Sequence, residues 1–179
     1  MGKYTKKEVF KEIINWIVDI GIAIVIALFI TKFIITHTYI PTGSMIPTIE
    51  IDDHLIINRV PLYFKNPKAG EIVIFHNDKE LIKRVIAVPG DTLDIRDGKV
   101  YVNGEELDEP YLNEPDSTYV FMMEEDVFPI EIPEDRYFLM GDNRNNSEDS
   151  RHFGMIHRKA IYAKSGFRIW PLNRIGRVK

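Results

Sequence analysis

From Ile13 to Ile35 the chain is almost continuously apolar, interrupted only by Asn15, Asp19, Thr31 and Lys32. A run like this constrains the fold more than any other stretch. In hydrocarbon every backbone polar group must be satisfied within the segment, which a helix does and an open strand cannot. As a helix, the run would extend roughly 34 Å, about the thickness of a hydrocarbon core. Asp19 and Lys32 then fall towards opposite ends, where charge costs least, and Trp16 falls where interfacial aromatics collect. The uninterrupted centre, Ile20 to Ile30, is short enough for the rival reading of a buried core helix. A cleaved leader is a further rival, but no small-x-small site follows; the chain continues Thr36-His37-Thr38-Tyr39. The expectation is a permanent transmembrane anchor over 13–36. Lys3, Lys6, Lys7 and Lys11 precede it, and after Lys32 the next cation is Arg59. The positive-inside rule makes 1–12 a cytoplasmic tail and 37–179 an extracytoplasmic domain of a plasma-membrane protein.

Beyond the span the pattern is strand-like. Leu55–Arg59, Glu71–Phe75, Leu81–Val88, Thr92–Arg96, Lys99–Asn103, Arg136–Met140 and Ala160–Trp170 are short apolar or alternating runs. Asp97-Gly98 between two of them is a hairpin signal. No amphipathic helix is expected after residue 40. The fold class is mainly β: a folded antiparallel, barrel-like catalytic domain behind one membrane helix. A net charge of −4 leaves no basic surplus for nucleic acid. Without cysteine there is no thiol nucleophile, disulfide or thiolate site, and the five histidines lack metal-ligand spacing. Neither cofactor nor metal is expected. Twelve acidic residues and no Lys or Arg lie between Gly104 and Asp135, which reads as a solvated flank. Leu62-Tyr63-Phe64 reads as a loop capping the core, with the bilayer interface as the alternative.

Three features could carry chemistry. Just past the span, Ser44 sits in Ile40-Pro41-Thr42-Gly43-Ser44-Met45-Ile46-Pro47-Thr48-Ile49. Two prolines restrict this loop and Gly43 frees it, which suits presentation of one side chain and equally suits a rigid turn with an idle hydroxyl. In Leu81–Val88, strand alternation gives Leu81, Lys83, Val85 and Ala87 one face, and Ile82, Arg84, Ile86 and Val88 the other. Both faces are mostly apolar. A buried arginine must then find a carboxylate, whereas a lysine can lose its proton or snorkel from an edge. Lastly, Gly141-Asp142-Asn143-Arg144-Asn145-Asn146-Ser147-Glu148-Asp149-Ser150-Arg151 concentrates more charge and hydroxyl than a turn needs. Ser-x-x-Lys, Gly-x-Ser-x-Gly and His-Glu-x-x-His are all absent.

Taken in order, these boxes resemble the signature of bacterial type I signal peptidases, in the short single-anchor, Gram-positive-like form, over residues 13 to 171. The resemblance implies a serine endopeptidase that removes signal peptides from exported preproteins at the outer membrane face, with Ser44 as nucleophile and Lys83 as general base. It implies that Thr42 and the Ser44 N–H form the oxyanion hole and that Ser147 hydrogen-bonds and orients the lysine. It assigns Arg84, Asp142, Asp149 and Arg151 to a supporting ionic network, and Ile40, Met45, Ile49 and Ile82 to pockets for small side chains. Asn145 stands where the family often has Asp. A lysine base must be neutral; moving its pKa from about 10.4 to roughly 8 takes about 3 kcal/mol, within reach of burial. Two rivals remain: a self-cleaving repressor-type protein, which would carry a DNA-binding domain in place of the span, and an anchored β domain that only binds a partner.

Overall fold

A computed structural model describes residues 6–115, 117–120 and 128–178. Helix α1 (Lys6–Phe33) accounts for the apolar run, and none of its side chains from Lys7 onward is buried. It is long and apolar enough to cross a bilayer. The helix stops at Phe33, and β1 (Ile35–Tyr39) begins almost at once, so the last apolar residues leave the helix for a sheet. β2 (His54–Asn58) pairs antiparallel with β1 and is followed by α2 (Val60–Phe64).

Side chains and backbone after β2 cap the end of α1. Arg59 donates from its backbone N–H to the Ile34 carbonyl at 3.1 Å and from its guanidinium to the Lys32 carbonyl at 3.3 Å. Tyr63 Oη donates to the Phe33 carbonyl at 3.3 Å. These carbonyls lack partners within the helix, so the contacts satisfy groups that would otherwise be orphaned. α2 was not expected from sequence, because a single turn started by Pro61 is too short to show a period. Only Leu62 of its apolar triplet caps the core; Tyr63 and Phe64 are exposed, Phe64 at 81%.

The remaining strands are β3 (Ile72–Asn77), β4 (Lys79–Ala87), β5 (Thr92–Arg96), β6 (Lys99–Val102), β7 (Glu105–Glu106), β8 (Ile130–Glu131), β9 (Arg136–Met140), β10 (Ile156–His157), β11 (Ile161–Trp170) and β12 (Gly176–Arg177). They form two antiparallel sheets. The larger runs β1-β2-β11-β3-β4-β9-β10, with β12 on β11, and the smaller runs β7-β6-β5-β8. Asp97 and Gly98 both take positive φ, as the tight hairpin between β5 and β6 requires. A second short helix, α3 (Ser150–Phe153), is also unannounced in the sequence; Asp149 caps its start by accepting from Arg151 N–H at 3.2 Å.

Strand β4 carries one correction to simple alternation. The register against β9 shifts between Val85 and Ala87, a bulge that turns the chain by one residue. Ala87 therefore packs with Ile86, Phe138 and Met140, while Val88 packs with the Val85 cluster. A third cluster joins Ile40, Met45 and Ile49 to Leu55, Ile57, Ile72, Ile74 and Ala163. The serine loop is thereby pinned at three points into the core of the larger sheet.

Candidate active site

Ser44 and Lys83 meet at the junction of that loop with β4. Lys83 Nζ lies 2.7 Å from Ser44 Oγ and 3.0 Å from the Ile82 carbonyl. Lys83 is 2% exposed and Ser44 8%. Burial lowers the lysine from its ordinary 10.5 to about 8, with nearby Asp149, Asp142 and Glu148 pulling upward and Lys79 pushing further down. At hydrogen-bond distance, such an amine accepts the serine proton when neutral and donates when charged.

The polar turn after β9 fastens the loop from behind. Asn143 N–H donates to the Ser44 carbonyl at 3.0 Å, and Asn143 Nδ2 donates to the Gly43 carbonyl at 3.0 Å. Gly141 makes this close approach possible, since a Cβ there would collide with the Ser44 carbonyl oxygen and with Ser147 Oγ. Gly43, by contrast, does not use the left-handed region that sequence reasoning reserved for it. It is buried tightly against Ile46 instead.

Three buried arginines tie the turn together. Arg84 grips Asp142 with a two-pronged contact, Nε to Oδ1 at 2.8 Å and Nη2 to Oδ2 at 2.6 Å, and Thr48 Oγ1 donates to the same carboxylate at 2.5 Å. Arg151 grips Asp149 likewise at 2.9 and 2.8 Å, both side chains fully enclosed. Burial alone would raise the Asp149 carboxyl; the Arg151 guanidinium and the Gly141 N–H outweigh it and hold the group below its ordinary value. The third, Arg144, pairs with Glu109 and donates to the Gly141 carbonyl at 3.1 Å. Glu109 thus corrects the reading of the acidic stretch as wholly solvated: a buried guanidinium needs a carboxylate, and this stretch supplies it. Glu114 also accepts from Asn145 Nδ2, at 2.6 Å. Asp116, Glu124, Glu125 and Asp126 of the same stretch lie outside the described residues.

A groove of about 440 Å³ opens over the pair, walled by Thr38–Thr42 on one side and Lys79–Lys83 on the other, with Ile74, Asn146 and Glu148. Of the expected pocket residues, Ile40 and Ile82 line it. Met45 and Ile49 do not; both are 0% exposed, because the Ile49 N–H to Met45 carbonyl bond (2.9 Å) closes a turn that points them into the core. Thr42 is exposed at the groove rim. Ser147 is buried beside the pair, where its hydroxyl acts on the Asp149 carboxylate, while Lys83 bonds Ser44 Oγ and the Ile82 carbonyl. Glu109 and Arg144 were missed as a pair. No local signal pairs them, because Glu109 lies 35 residues before Arg144.

Comparison with known proteins shows the family. Residues 13–170 match the family described as signal peptidase, peptidase S26. Signal peptidase I of Leptolyngbya laminosa is 38% identical over 168 residues, covering 88% of this chain and 79% of the relative. Signal peptidase IB of Staphylococcus aureus (strain COL) is 38% identical over 176 residues, covering 91% and 92%. Signal peptidase I of Bacillus amyloliquefaciens is 34% identical over 172 residues, covering 93% of each. With the family matched from within the apolar helix to the end of β11, the chain belongs to the S26 peptidases, the signal peptidase family.

Proposed function

We propose that this peptidase is a single-pass membrane serine endopeptidase working through a Ser44–Lys83 dyad, with its N-terminus cytoplasmic and its β domain outside. The observation that carries the reading is the 2.7 Å contact between two buried side chains, one of them an amine brought down to about 8. Neutral Lys83 takes the Ser44 proton as Oγ attacks the scissile carbonyl. The oxyanion is held by the Ser44 N–H, with the Thr42 hydroxyl at the rim as second donor; one such donor is typically worth about 3 kcal/mol. The lysine, now an ammonium, protonates the departing amine. A water activated by the same amine then releases the acyl group from Ser44.

The substrate is an extended signal peptide ending in a small-x-small pattern. β1 is the terminal strand of its sheet, so its outer edge can take an added strand, alternate side chains of which turn into the groove. Ile40, Ile74 and Ile82 line the groove, and their apolar wall would take the small side chains of that pattern. The lipid bilayer holds both anchor and substrate, which brings the cut site to the groove. The test is cleavage of one preprotein by full-length Ser44→Ala and Lys83→Ala in micelles. Both variants are expected to fold and to process nothing; cleavage near the parent rate by either refutes the dyad.

A further inference from the structure

We propose that Tyr111 and Glu109, on the segment that follows the smaller sheet's β7, are positioning residues for the Ser44–Lys83 chemistry. The proposal rests on the dyad reading. It begins with how Arg84, the neighbour of Lys83 on β4, is held. Its edge faces Asp142, its Nη1 donates to the Gly70 carbonyl at 2.8 Å, and its flat face lies on the Tyr111 ring, 3.9 Å from the centroid. The ring leaves the guanidinium one orientation, the one that fits the Asp142 fork.

Tyr111 is itself fixed. Its hydroxyl donates to Glu109 Oε1 at 2.7 Å, and Glu109 pairs with Arg144, whose side chain is 1% exposed. Arg144 in turn holds the Gly141 carbonyl, two residues before the Asn143 contacts with Ser44 and Gly43. Glu109 and Tyr111 therefore reach the reacting pair along two routes, through Arg84 to Asp142 and Thr48, and through Arg144 to the Asn143 turn. The first route ends on the Thr48 hydroxyl and the second on the Gly43 and Ser44 carbonyls, all within the serine loop. Small displacements there matter, because catalysis depends on near-attack geometry.

The ring also has an electrostatic consequence. The charged groups acting on Lys83 are Asp149, Lys79, Asp142 and Glu148, and of these Asp142 is the one gripped by Arg84. If Arg84 swivels away, the Asp142 carboxylate is less neutralised and favours the lysine ammonium more strongly. The rising limb of the rate, along which the lysine loses its proton, then moves to higher pH. Loss of packing that leaves Lys83 as dry as before would not do this.

The experiment compares full-length Tyr111→Leu, Tyr111→Phe and Glu109→Gln with the parent in micelles, using a peptide with a small-x-small cut site. Tyr111→Leu is expected to lower kcat by about tenfold or more with KM within about twofold, and to move the limb upward. Tyr111→Phe, which keeps the ring, is expected to hold kcat within about threefold and leave the limb in place. Glu109→Gln, similar in shape, is expected to lower kcat with KM unchanged, and it serves if Tyr111→Leu does not fold. An unchanged kcat in Tyr111→Leu or in Glu109→Gln, or a fall in Tyr111→Leu with an unmoved limb, overturns the proposal. Ser44→Ala runs alongside: if it still cleaves, the dyad reading fails, whereas an inert Ser44→Ala beside an unaffected Tyr111→Leu sinks only this inference.

Discussion

Replacing Lys83 with methionine tests the physical basis of the site without measuring catalysis. The unfolded chain keeps the amine in water at its ordinary 10.5, and the folded protein holds it at about 8. At about 1.36 kcal/mol per pH unit, that gap makes the folded state about 3 kcal/mol less stable at pH 7 than it would be with an indifferent side chain. Lys83→Met keeps the length of the side chain and removes the charge. It also forfeits the contacts with Ser44 Oγ and the Ile82 carbonyl, together worth about 2 kcal/mol. The variant is therefore expected to be more stable than the parent by about 1 kcal/mol at pH 7. The pH dependence carries the sign. A base whose folded pKa is depressed is penalised fully below that value, and the penalty fades as pH rises from about 8 towards 10.5. The advantage of Lys83→Met should shrink over that window and then reverse by the lost contacts. Urea unfolding in micelles, followed by Trp fluorescence at several pH values, reads it directly. A variant less stable than the parent at pH 7, or an advantage that does not change between pH 7 and 10, would refute the reasoning.

Other outcomes follow from the same geometry. Since the base must be neutral, kcat/KM is expected to rise with pH through about 8 and level off above it, checked by a pH series on one peptide substrate; a profile flat from pH 6 to 10 would contradict it. Gly141→Ala introduces a Cβ into the Ser44 carbonyl and Ser147 Oγ, and is expected to abolish cleavage by pushing the serine loop off the turn; a normal rate would mean the loop moves freely. Arg151→Met strands Asp149 as an unpaired buried carboxylate and should cost about 3–5 kcal/mol, seen in urea unfolding as a lowered midpoint; a loss under about 1 kcal/mol would count against the pairing.

The sequence made some of this readable and hid the rest for identifiable reasons. The serine loop and Lys83 stood out because each breaks a local rule: a proline-bounded glycine-serine step just past a span, and a cation in an apolar strand. The long apolar helix is equally plain, since nothing else satisfies so many backbone groups without polar side chains. The exchange of faces at Ala87 was not readable, because a bulge is set by pairing with β9 and leaves the apolar pattern of β4 unchanged. The family resemblance assigns Met45 and Ile49 to pocket walls, yet both pack into the core beneath the loop. Glu109 was hidden among eleven other acidic residues, and only its distant partner distinguishes it. Strand β1 escaped notice because its first residue, Ile35, closes the apolar run, and Thr36-His37-Thr38 shows no apolar alternation.

The stitching of Arg59 and Tyr63 to the last carbonyls of α1 leaves almost no slack between helix and sheet. With α1 in a bilayer, these contacts would hold the groove at a set height above the lipid, as a ruler does. A preprotein whose own apolar core ends too far from its cut site would present that bond at the wrong height, whatever residues flank it.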